Sequence, residues 1–350
     1  MRRLLSICLL LVPGLANGQS NLMSLIDGGH YKRARAIADT RVKQNPKDAE
    51  ALYAMGRVRQ AYNDLEGAHS YAERAVEADG SKAHYHCLLG QTSGNKAEKA
   101  GIFSKFSLGR AVKKEAEAGI QMDPRFPDCY QLLLVFHLKA PSVIGGDVKQ
   151  AQEIANKLLT IDPVEGYFAQ ARIAQENKQN DKFEGLYLKA VQANPRSYKA
   201  NLQIAGLYAG QKKYDLSEKY AREAVKIDPT RAGAYSLLVQ IAVVQQKWEQ
   251  VESILAQSEK AVPDNLNPYY QAARTALVEN KELPRAEKYL RKYLTQEPEG
   301  GGPTWANAHW RLGLVLEKMG RKAEAQQEVR MALTLDPAFE AAKKDLERLK

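Results

Sequence analysis

The sequence lacks the short motifs that mark the commonest catalytic and metal sites. It contains no H-E-x-x-H, C-x-x-C, G-x-S-x-G or G-x-G-x-x-G segment, and no phosphate-binding G-x-x-x-x-G-K-[ST] loop. His84 and His86 stand two residues apart, which places them on different sides of a helix rather than on one metal-binding face. We therefore predict a protein without a catalytic site, a metal site or a cofactor.

Long apolar runs are almost absent as well. The one candidate opens the chain in MRRLLSICLLLVPGLANG, where Arg2 and Arg3 precede an apolar run that closes near the small residues Ala16 and Gly18. This order is typical of a secretory signal peptide, and the run falls short of the roughly 20 apolar residues that span a bilayer. We expect residues 1–18 to be removed. The rest of the chain is then exported, periplasmic or secreted, with no retained transmembrane segment.

Cysteine is scarce, with three in 350 residues. Cys8 lies inside the predicted signal peptide, so Cys87 and Cys129 remain. In an oxidising compartment these two could form a disulfide, provided that their Cα atoms come within about 7 Å. Otherwise each is a small apolar residue in a packed core. The sequence leaves both possibilities open.

A concentrated basic stripe is also missing. The net charge at pH 7 is +10, but acidic and basic residues are interspersed along the chain. Proteins that bind nucleic acids normally gather their cations on one face. We predict no nucleic-acid partner.

What the sequence does contain is a repeated helical pattern, without strand-like alternation of apolar and polar residues. Helix breakers recur along the chain, and four of the eight intervals between them measure 34 or 35 residues. Proline ends a helix because its ring blocks the backbone and it has no N–H to donate. The predicted repeat ends are Pro46, Gly80, Pro124, Pro163, Pro195, Pro229, Pro263, Pro298 and Pro337.

Small residues hold fixed positions before these breakers. They allow the two helices of a repeat to approach closely, while larger neighbours fill the remaining space. The positions twelve and five residues before a breaker are occupied by Ser217 and Ala224, by Ala325 and Ala332, and by Ala68 and Ala75; Ala34, Ala151 and Ala286 fill the first of the two in other repeats.

The first helix of several repeats has a signature of its own, a large residue followed by leucine or methionine and then glycine. It occurs as Leu52, Met55 and Gly56, as His86, Leu89 and Gly90, and as His309, Leu312, Gly313 and Leu316. Together with the period, this pattern resembles the tetratricopeptide repeat over almost the whole chain after residue 18. The resemblance implies an all-α fold, a right-handed α-solenoid of about nine helix-turn-helix repeats over residues 19–350. Residues 338–350 would form a C-terminal capping helix.

Three segments break the period. PSVIGG, before Asp147, is predicted to be a lengthened turn, with Asp147 as the N-cap of the helix that follows. About ten extra residues fall within QTSGNKAEKAGIFSKFSLGR, between positions 91 and 110. Because both extensions lie inside a repeat, we expect them side by side on one edge of the solenoid. PEGGGPT, at 298–304, lies between repeats and is predicted to be a slack connector.

The insertion at 91–110 is basic and carries aromatic residues. Clustered insertions in repeat proteins often mark a binding face, which makes this segment a candidate docking edge. The alternative is an elongated helix pair whose phenylalanines pack on their neighbours. The candidate residues are Lys96, Lys99, Phe103, Lys105, Phe106 and Arg110.

A narrower resemblance covers residues 94–134. This stretch looks like the central segment of regulator of microtubule dynamics proteins, and like a group of exported bacterial repeat proteins without assigned chemistry. The matching features are a lysine-rich helix extension, Ile102 with Phe103, Lys113 with Lys114, and an Asp-Pro end. The signal peptide and the flanking repeats depart from the eukaryotic proteins, so only the architecture carries over.

The tetratricopeptide resemblance also implies a concave groove lined by the first helix of each repeat. An aromatic residue with an arginine one helical turn later recurs at inward-facing positions. Such a pair could grip a carboxylate of a peptide, or the arginine could lie across its own ring and bind nothing. The candidates are Tyr53 and Arg57, Phe168 and Arg172, Tyr270 and Arg274, and Trp310 without an arginine.

These features favour a non-catalytic scaffold of the cell envelope that binds a protein or peptide. One alternative is a module for an anionic envelope polymer or membrane surface, held by the cations between Lys96 and Lys114. The other alternative, an enzyme, has no motif to support it.

Overall fold

A computed structural model describes residues 22–350, and the predicted signal peptide lies outside these residues. The described part is all-helical, with nineteen α-helices, two short 3-10 helices and no strand. In chain order the helices are α1 (Leu22–Gly28), α2 (Tyr31–Gln44), α3 (Ala49–Ala61), α4 (Leu65–Ala78), α5 (Ala83–Lys99), α6 (Ile102–Met122), α7 (Pro127–Lys139), α8 (Val148–Ile161), α9 (Pro163–Glu176), α10 (Phe183–Ala193), α11 (Tyr198–Gly210), α12 (Tyr214–Ile227), α13 (Ala232–Val244), α14 (Trp248–Ala261), α15 (Asn267–Glu279), α16 (Leu283–Tyr293), α17 (Trp305–Lys318), α18 (Lys322–Leu335) and α19 (Glu340–Leu349).

The helices form nine consecutive pairs followed by α19, which is the architecture of an α-solenoid. The Asp-Pro breakers explain the joints between pairs. Asp162 ends α8, and its carboxylate then accepts the backbone N–H groups of Val164 and Glu165 in the first turn of α9. Pro163 is the first residue of α9, a position where the missing N–H costs nothing. One dipeptide thus stops one helix and starts the next.

The small residues lie where the pattern predicted, in the contacts between paired helices. The nine small residues named above, which stand twelve or five residues before a breaker, are all fully buried. Glycine permits close packing at two of the helix contacts. A Cβ on Gly90 would lie 2.6 Å from Leu132 Cδ2, and one on Gly313 would lie 2.6 Å from Val329 Cγ2. A side chain at either position would require these neighbours to shift.

Both insertions within repeats are ordered, and they lie side by side. The first is absorbed by longer helices, since α5 has 17 residues and α6 has 21. The second forms a 3-10 turn at Ser142–Ile144 and a left-handed glycine, Gly145, with φ of 101°. A Cβ on Gly109 of α6 would lie 2.9 Å from Ile144 Cδ1, so the turn packs directly on the lengthened helix.

Asp147 caps α8 as predicted, because its carboxylate accepts the backbone N–H of Lys149 at 2.8 Å. Replacing Asp147 with alanine should lower the free energy of unfolding by about 1 kcal/mol, the usual value of an N-cap. Asp147→Asn keeps the acceptor and should retain most of the stability. Urea unfolding of the two variants checks this. If both lose the same free energy of unfolding, the hydrogen-bond acceptor at this position contributes nothing.

A disulfide joins Cys87 of α5 to Cys129 of α7, with the two Cα atoms 5.2 Å apart. Both residues are buried, so the bond ties the enlarged repeat to the next one inside the core. Gly119 of α6 makes room for it. A Cβ at this position would lie 2.3 Å from Cys129 Sγ and 3.4 Å from Cys87 Sγ.

The prediction of a slack connector at 298–304 is wrong. Glu299 is 5% exposed, and Gly301 donates its N–H to the carbonyl oxygen of Ala61 at 2.8 Å. Tyr62 donates its hydroxyl proton to the carbonyl oxygen of Pro298. The segment therefore packs on the first repeats, because the solenoid curves far enough to bring the connector between α16 and α17 against them. A local repeat pattern holds no signal for a contact across more than 230 residues.

No helix within residues 22–350 is long and apolar enough to cross a membrane.

Candidate functional site

The described chain contains a cavity of about 970 Å³ on the inner side of the solenoid. The first helices of five successive repeats line it, namely α3, α5, α7, α9 and α11. The N-terminal half of α6, which the insertion created, forms another wall, and Ile144 of the 3-10 turn at Ser142–Ile144 also contributes to the lining. The volume lies at the upper end of the range for ligand pockets.

One part of the lining is apolar. Ile102 and Phe106 project from α6, and Phe168 faces the cavity from α9. The other apolar residues of the lining are Ala97, Val112, Leu132, Val135, Phe136, Ala140, Pro141, Ile144 and Ala171. Ile102 is 66% exposed, so an apolar edge of the cavity is open to solvent.

The charged part of the lining is mostly cationic, with five basic and three acidic side chains. The basic residues are Arg57, Lys105, Lys139, Arg172 and Lys199, and the acidic residues are Glu98, Asp128 and Glu165. Two of the lysines are engaged in ion pairs, Lys139 with Glu176 at 2.7 Å and Lys199 with Glu165 at 2.5 Å.

Two cations remain unpaired. The side chains of Lys105 and Arg172 are exposed and form no ion pair or hydrogen bond with any residue in 22–350. Arg172 lies near the hydroxyl of Tyr187; burial raises the pKa of that phenol, and the guanidinium opposes the shift. The cavity thus offers an apolar surface with free positive charge beside it.

The Tyr53–Arg57 pair lies at the α3 side of the cavity. Arg57 Nη1 donates to Tyr53 Oη at 2.9 Å, and its guanidinium carbon lies 5.9 Å from the centre of the same ring. Tyr53 is 4% exposed and Arg57 is half-buried. Arg57 lines the cavity, whereas the buried Tyr53 does not line it and accepts a hydrogen bond from Arg57.

The ring of Phe168 is covered by a cation from the next repeat rather than by its own arginine. Lys199 Nζ of α11 lies 4.9 Å from the ring centre, while Arg172 projects into the cavity. Tyr270 is arranged in the same way, since Arg311 Nε of α17 donates to its hydroxyl at 2.6 Å. Lys199 and Arg311 each come roughly one repeat after their aromatic partner in the sequence. A pattern confined to one helix therefore does not reveal these contacts.

The remaining groove candidates lie outside this cavity. Arg274 is exposed on α15 and contacts Gln271 on the same helix. Trp310 of α17 donates its indole N–H to Asp345 Oδ2 at 2.7 Å and packs edge-on against Phe339. Trp310 thus contacts the C-terminal cap. The binding role predicted for Tyr270, Arg274 and Trp310 stays a prediction.

The residues of the basic insertion divide into two groups. Lys105 and Phe106 line the cavity together with Arg57, Phe168 and Arg172, so part of the insertion and part of the predicted groove form one site. The others lie outside its lining. Lys96 pairs with Glu66 at 2.7 Å, Phe103 is 88% exposed, and Lys99 and Arg110 are exposed. Arg110 borders a second, smaller concavity of about 410 Å³.

The histidines singled out in the sequence have packing partners. His84 packs edge-on against the ring of Tyr53, and His86 Nδ1 lies 2.7 Å from Glu115 Oε2. Among residues 22–350, no group of three or more His, Cys, Asp or Glu side chains is placed to hold a metal ion.

Comparison with solved structures gives several similar helical-repeat proteins. Yeast Tom70 is 13% identical, with a TM-score of 0.49 over 94% of this chain and 80% of that chain. A tetratricopeptide repeat protein from Parabacteroides merdae is 17% identical, with a TM-score of 0.43 over 74% of this chain and 98% of that chain. The pilF protein of Pseudomonas aeruginosa is 18% identical, with a TM-score of 0.43 over 65% of this chain and 99% of that chain.

The sequence matches no curated protein. The family model of the tetratricopeptide repeat matches residues 198–231 and 306–339. Residues 94–134 lie outside both segments, so their resemblance to regulator of microtubule dynamics proteins stays a prediction. The two matched segments contain the pairs α11–α12 and α17–α18. The chain therefore carries tetratricopeptide repeats at 198–231 and 306–339, within an all-helical solenoid of paired helices.

Proposed function

We propose that this protein is a non-catalytic scaffold that binds a protein or peptide segment in the cavity lined by α3, α5, α6, α7, α9 and α11. Tetratricopeptide repeats generally act as protein-interaction scaffolds, and solenoids present extended concave binding surfaces. The observation that carries the proposal is the pair of free cations, Lys105 and Arg172, beside an apolar lining.

The same observation defines the chemistry of the partner. Arg172 can hold a carboxylate through two parallel hydrogen bonds, and Lys105, which lines the same cavity from α6, adds a second positive charge. Phe106 and Phe168, which line the same cavity, favour a bulky apolar side chain. The partner is therefore a segment that combines acidic and apolar residues.

The proposed location is the cell envelope or the exterior. Support comes from the disulfide between Cys87 and Cys129, because disulfides persist mainly in oxidising compartments. The N-terminal sequence, with Arg2 and Arg3 before an apolar run, points the same way.

Reversing the two free charges tests the site. A fluorescent peptide that alternates glutamate and leucine serves as the probe, and its affinity is measured by anisotropy. The double variant Lys105→Glu/Arg172→Glu should bind the peptide at least about tenfold more weakly, since a hydrogen bond to a charged group is worth about 1.5–3 kcal/mol. The matched control is Arg330→Glu, at an exposed arginine of α18 outside the cavity lining, which should bind like the unmodified protein.

Two outcomes contradict the proposal. One is an unchanged affinity of the double variant, and the other is equal binding of a lysine–leucine peptide. A third measurement addresses the alternative partner class. If heparin or vesicles of anionic lipid are retained more tightly than the peptide, with steep loss in salt, the basic edge binds an anionic polymer or membrane surface instead.

A further inference from the structure

The start of the solenoid and the connector between α16 and α17 are joined by a compact contact, which we call the clasp. It consists of residues 297–301, the first turn and a half of α2, and the C-terminal end of α3. Arg35 forms two parallel hydrogen bonds with Glu297, at 3.0 and 2.7 Å. The Lys32 ammonium donates to the Glu297 carbonyl oxygen at 2.7 Å. These partners stand more than 260 residues apart, whereas repeats of an open solenoid contact only their neighbours.

Glu299 acts as a helix cap supplied from the other end of the chain. Its Oε1 accepts the backbone N–H of Lys32 at 2.9 Å, in the first turn of α2, where the residue before the helix, His30, provides no side-chain cap. An anion at this end of a helix is favoured by the helix dipole. Burial raises the pKa of the Glu299 carboxyl, and the N–H donors of Lys32 and Gly300 oppose the shift.

The glycines of the clasp pack closely against α2 and the C-terminal end of α3. A Cβ on Gly300 would lie 2.9 Å from Ala61 Cβ, 3.0 Å from Tyr31 Cδ2 and 3.1 Å from Tyr62 Cε2. Gly301 has a φ of 77°, which disfavours other residues. Two more links lie beside the clasp. Arg33 pairs with Asp264 at 2.7 Å, and Arg231 donates to the Asp27 carbonyl oxygen.

The clasp is continuous with the cavity through α3. Arg57, which lines the cavity, stands one helical turn before Ala61, whose carbonyl oxygen accepts from Gly301. The Arg57 guanidinium faces the hydroxyl of Tyr31 as well as that of Tyr53. Tyr31 is also one of the residues against which Gly300 packs. A packed path of two side chains thus connects the clasp to the cavity wall.

We propose that the clasp regulates the cavity: when it is closed it holds α3 and Arg57 against the other lining helices, and when it opens the cavity widens and partner binding weakens. This inference rests on the proposed function of the cavity. The clasp is suited to opening because its ion pair, Arg35 with Glu297, is about 40% exposed on both sides. Exposed pairs of this kind contribute about 1 kcal/mol or less and are weakened by salt.

The test uses variants that leave every cavity residue in place. Gly300→Val places side-chain atoms where Ala61, Tyr31 and Tyr62 leave no room in the closed clasp. The matched control is Gly210→Val at the end of α11, where a Cβ meets nothing within 4 Å. Arg35→Glu opposes Glu297 with a like charge, and Arg35→Glu/Glu297→Arg restores the pair with its signs exchanged. Each protein is examined by small-angle X-ray scattering, by hydrogen exchange of α3 and by binding of the glutamate–leucine peptide.

Gly300→Val and Arg35→Glu should increase the radius of gyration, accelerate exchange in α3 and weaken peptide binding by about fivefold or more, within the usual range of coupling between sites. The charge-exchanged double variant and Gly210→Val should match the unmodified protein. The inference is overturned if Gly300→Val opens the molecule but retains its affinity, or if it leaves scattering and exchange unchanged. If the unmodified protein does not bind the peptide, the proposed function fails, while scattering and exchange still decide whether the clasp holds α3.

Discussion

Removing the Cys87–Cys129 disulfide should lower the free energy of unfolding of the enlarged repeat by about 4 kcal/mol, given the sequence separation of 42 residues. In the chain-entropy model, the bond stabilises the fold because it restricts the unfolded chain. The loop it closes contains the whole of α6, so the effect should concentrate on this helix and its neighbours.

The measurement is guanidinium unfolding of the Cys87→Ala/Cys129→Ala variant beside the oxidised protein, followed by hydrogen exchange to locate the loss. The oxidised protein with and without dithiothreitol provides the control, with thiol labelling to verify reduction. Because both sulfurs are buried, reduction should be slow in the folded state. An unfolding curve that does not move once labelling shows full reduction would contradict the prediction.

Deleting the C-terminal cap, residues 338–350, should destabilise the last repeats and cause self-association while most of the helix content remains. Ala342 and Leu349 of α19 are buried, and Phe339 packs on Trp310. Burying two or three such side chains is worth about 5 kcal/mol. Their removal leaves an apolar face on α17 and α18 without a cover.

Thermal unfolding and sedimentation velocity of the truncated protein check this result. The control is deletion of Lys350 alone, an exposed residue after the end of α19. A truncated protein that stays monomeric and melts at an unchanged temperature would show that α19 does not cap the solenoid.

The sequence predicts the helices and their packing well because both depend on local chemistry. Proline and its preceding Asp or Asn set the helix joints, and small residues such as Ala224 and Ala332 mark the contacts within pairs. The adjacency of the two insertions follows from their common place in the repeat. These features are repeated at a short period, so one sequence is enough to reveal them.

The cavity is only partly predictable, for geometric reasons. The sequence predicts Lys105 as part of the insertion and Arg172 as part of the groove, but the pattern does not say in which direction ten extra residues extend α6. In the structure the N-terminal half of α6 lines the cavity, so the two side chains line one cavity. Lys199 was missed because its aromatic partner, Phe168, belongs to the preceding repeat. Glu299 had no periodic signal because its partner, Lys32, lies almost a whole chain away.

Closure at the clasp also limits how this protein can evolve in length. Repeat arrays commonly gain or lose whole repeats, since each unit contacts only its neighbours. Here the seven helix pairs from α3 to α16 separate Lys32 from Glu299. One pair more or fewer would displace Glu299 by a full repeat and leave the first turn of α2 without its cap. The number of repeats in this part of the chain is therefore a fixed property of the fold, as strand number is in a closed β-barrel.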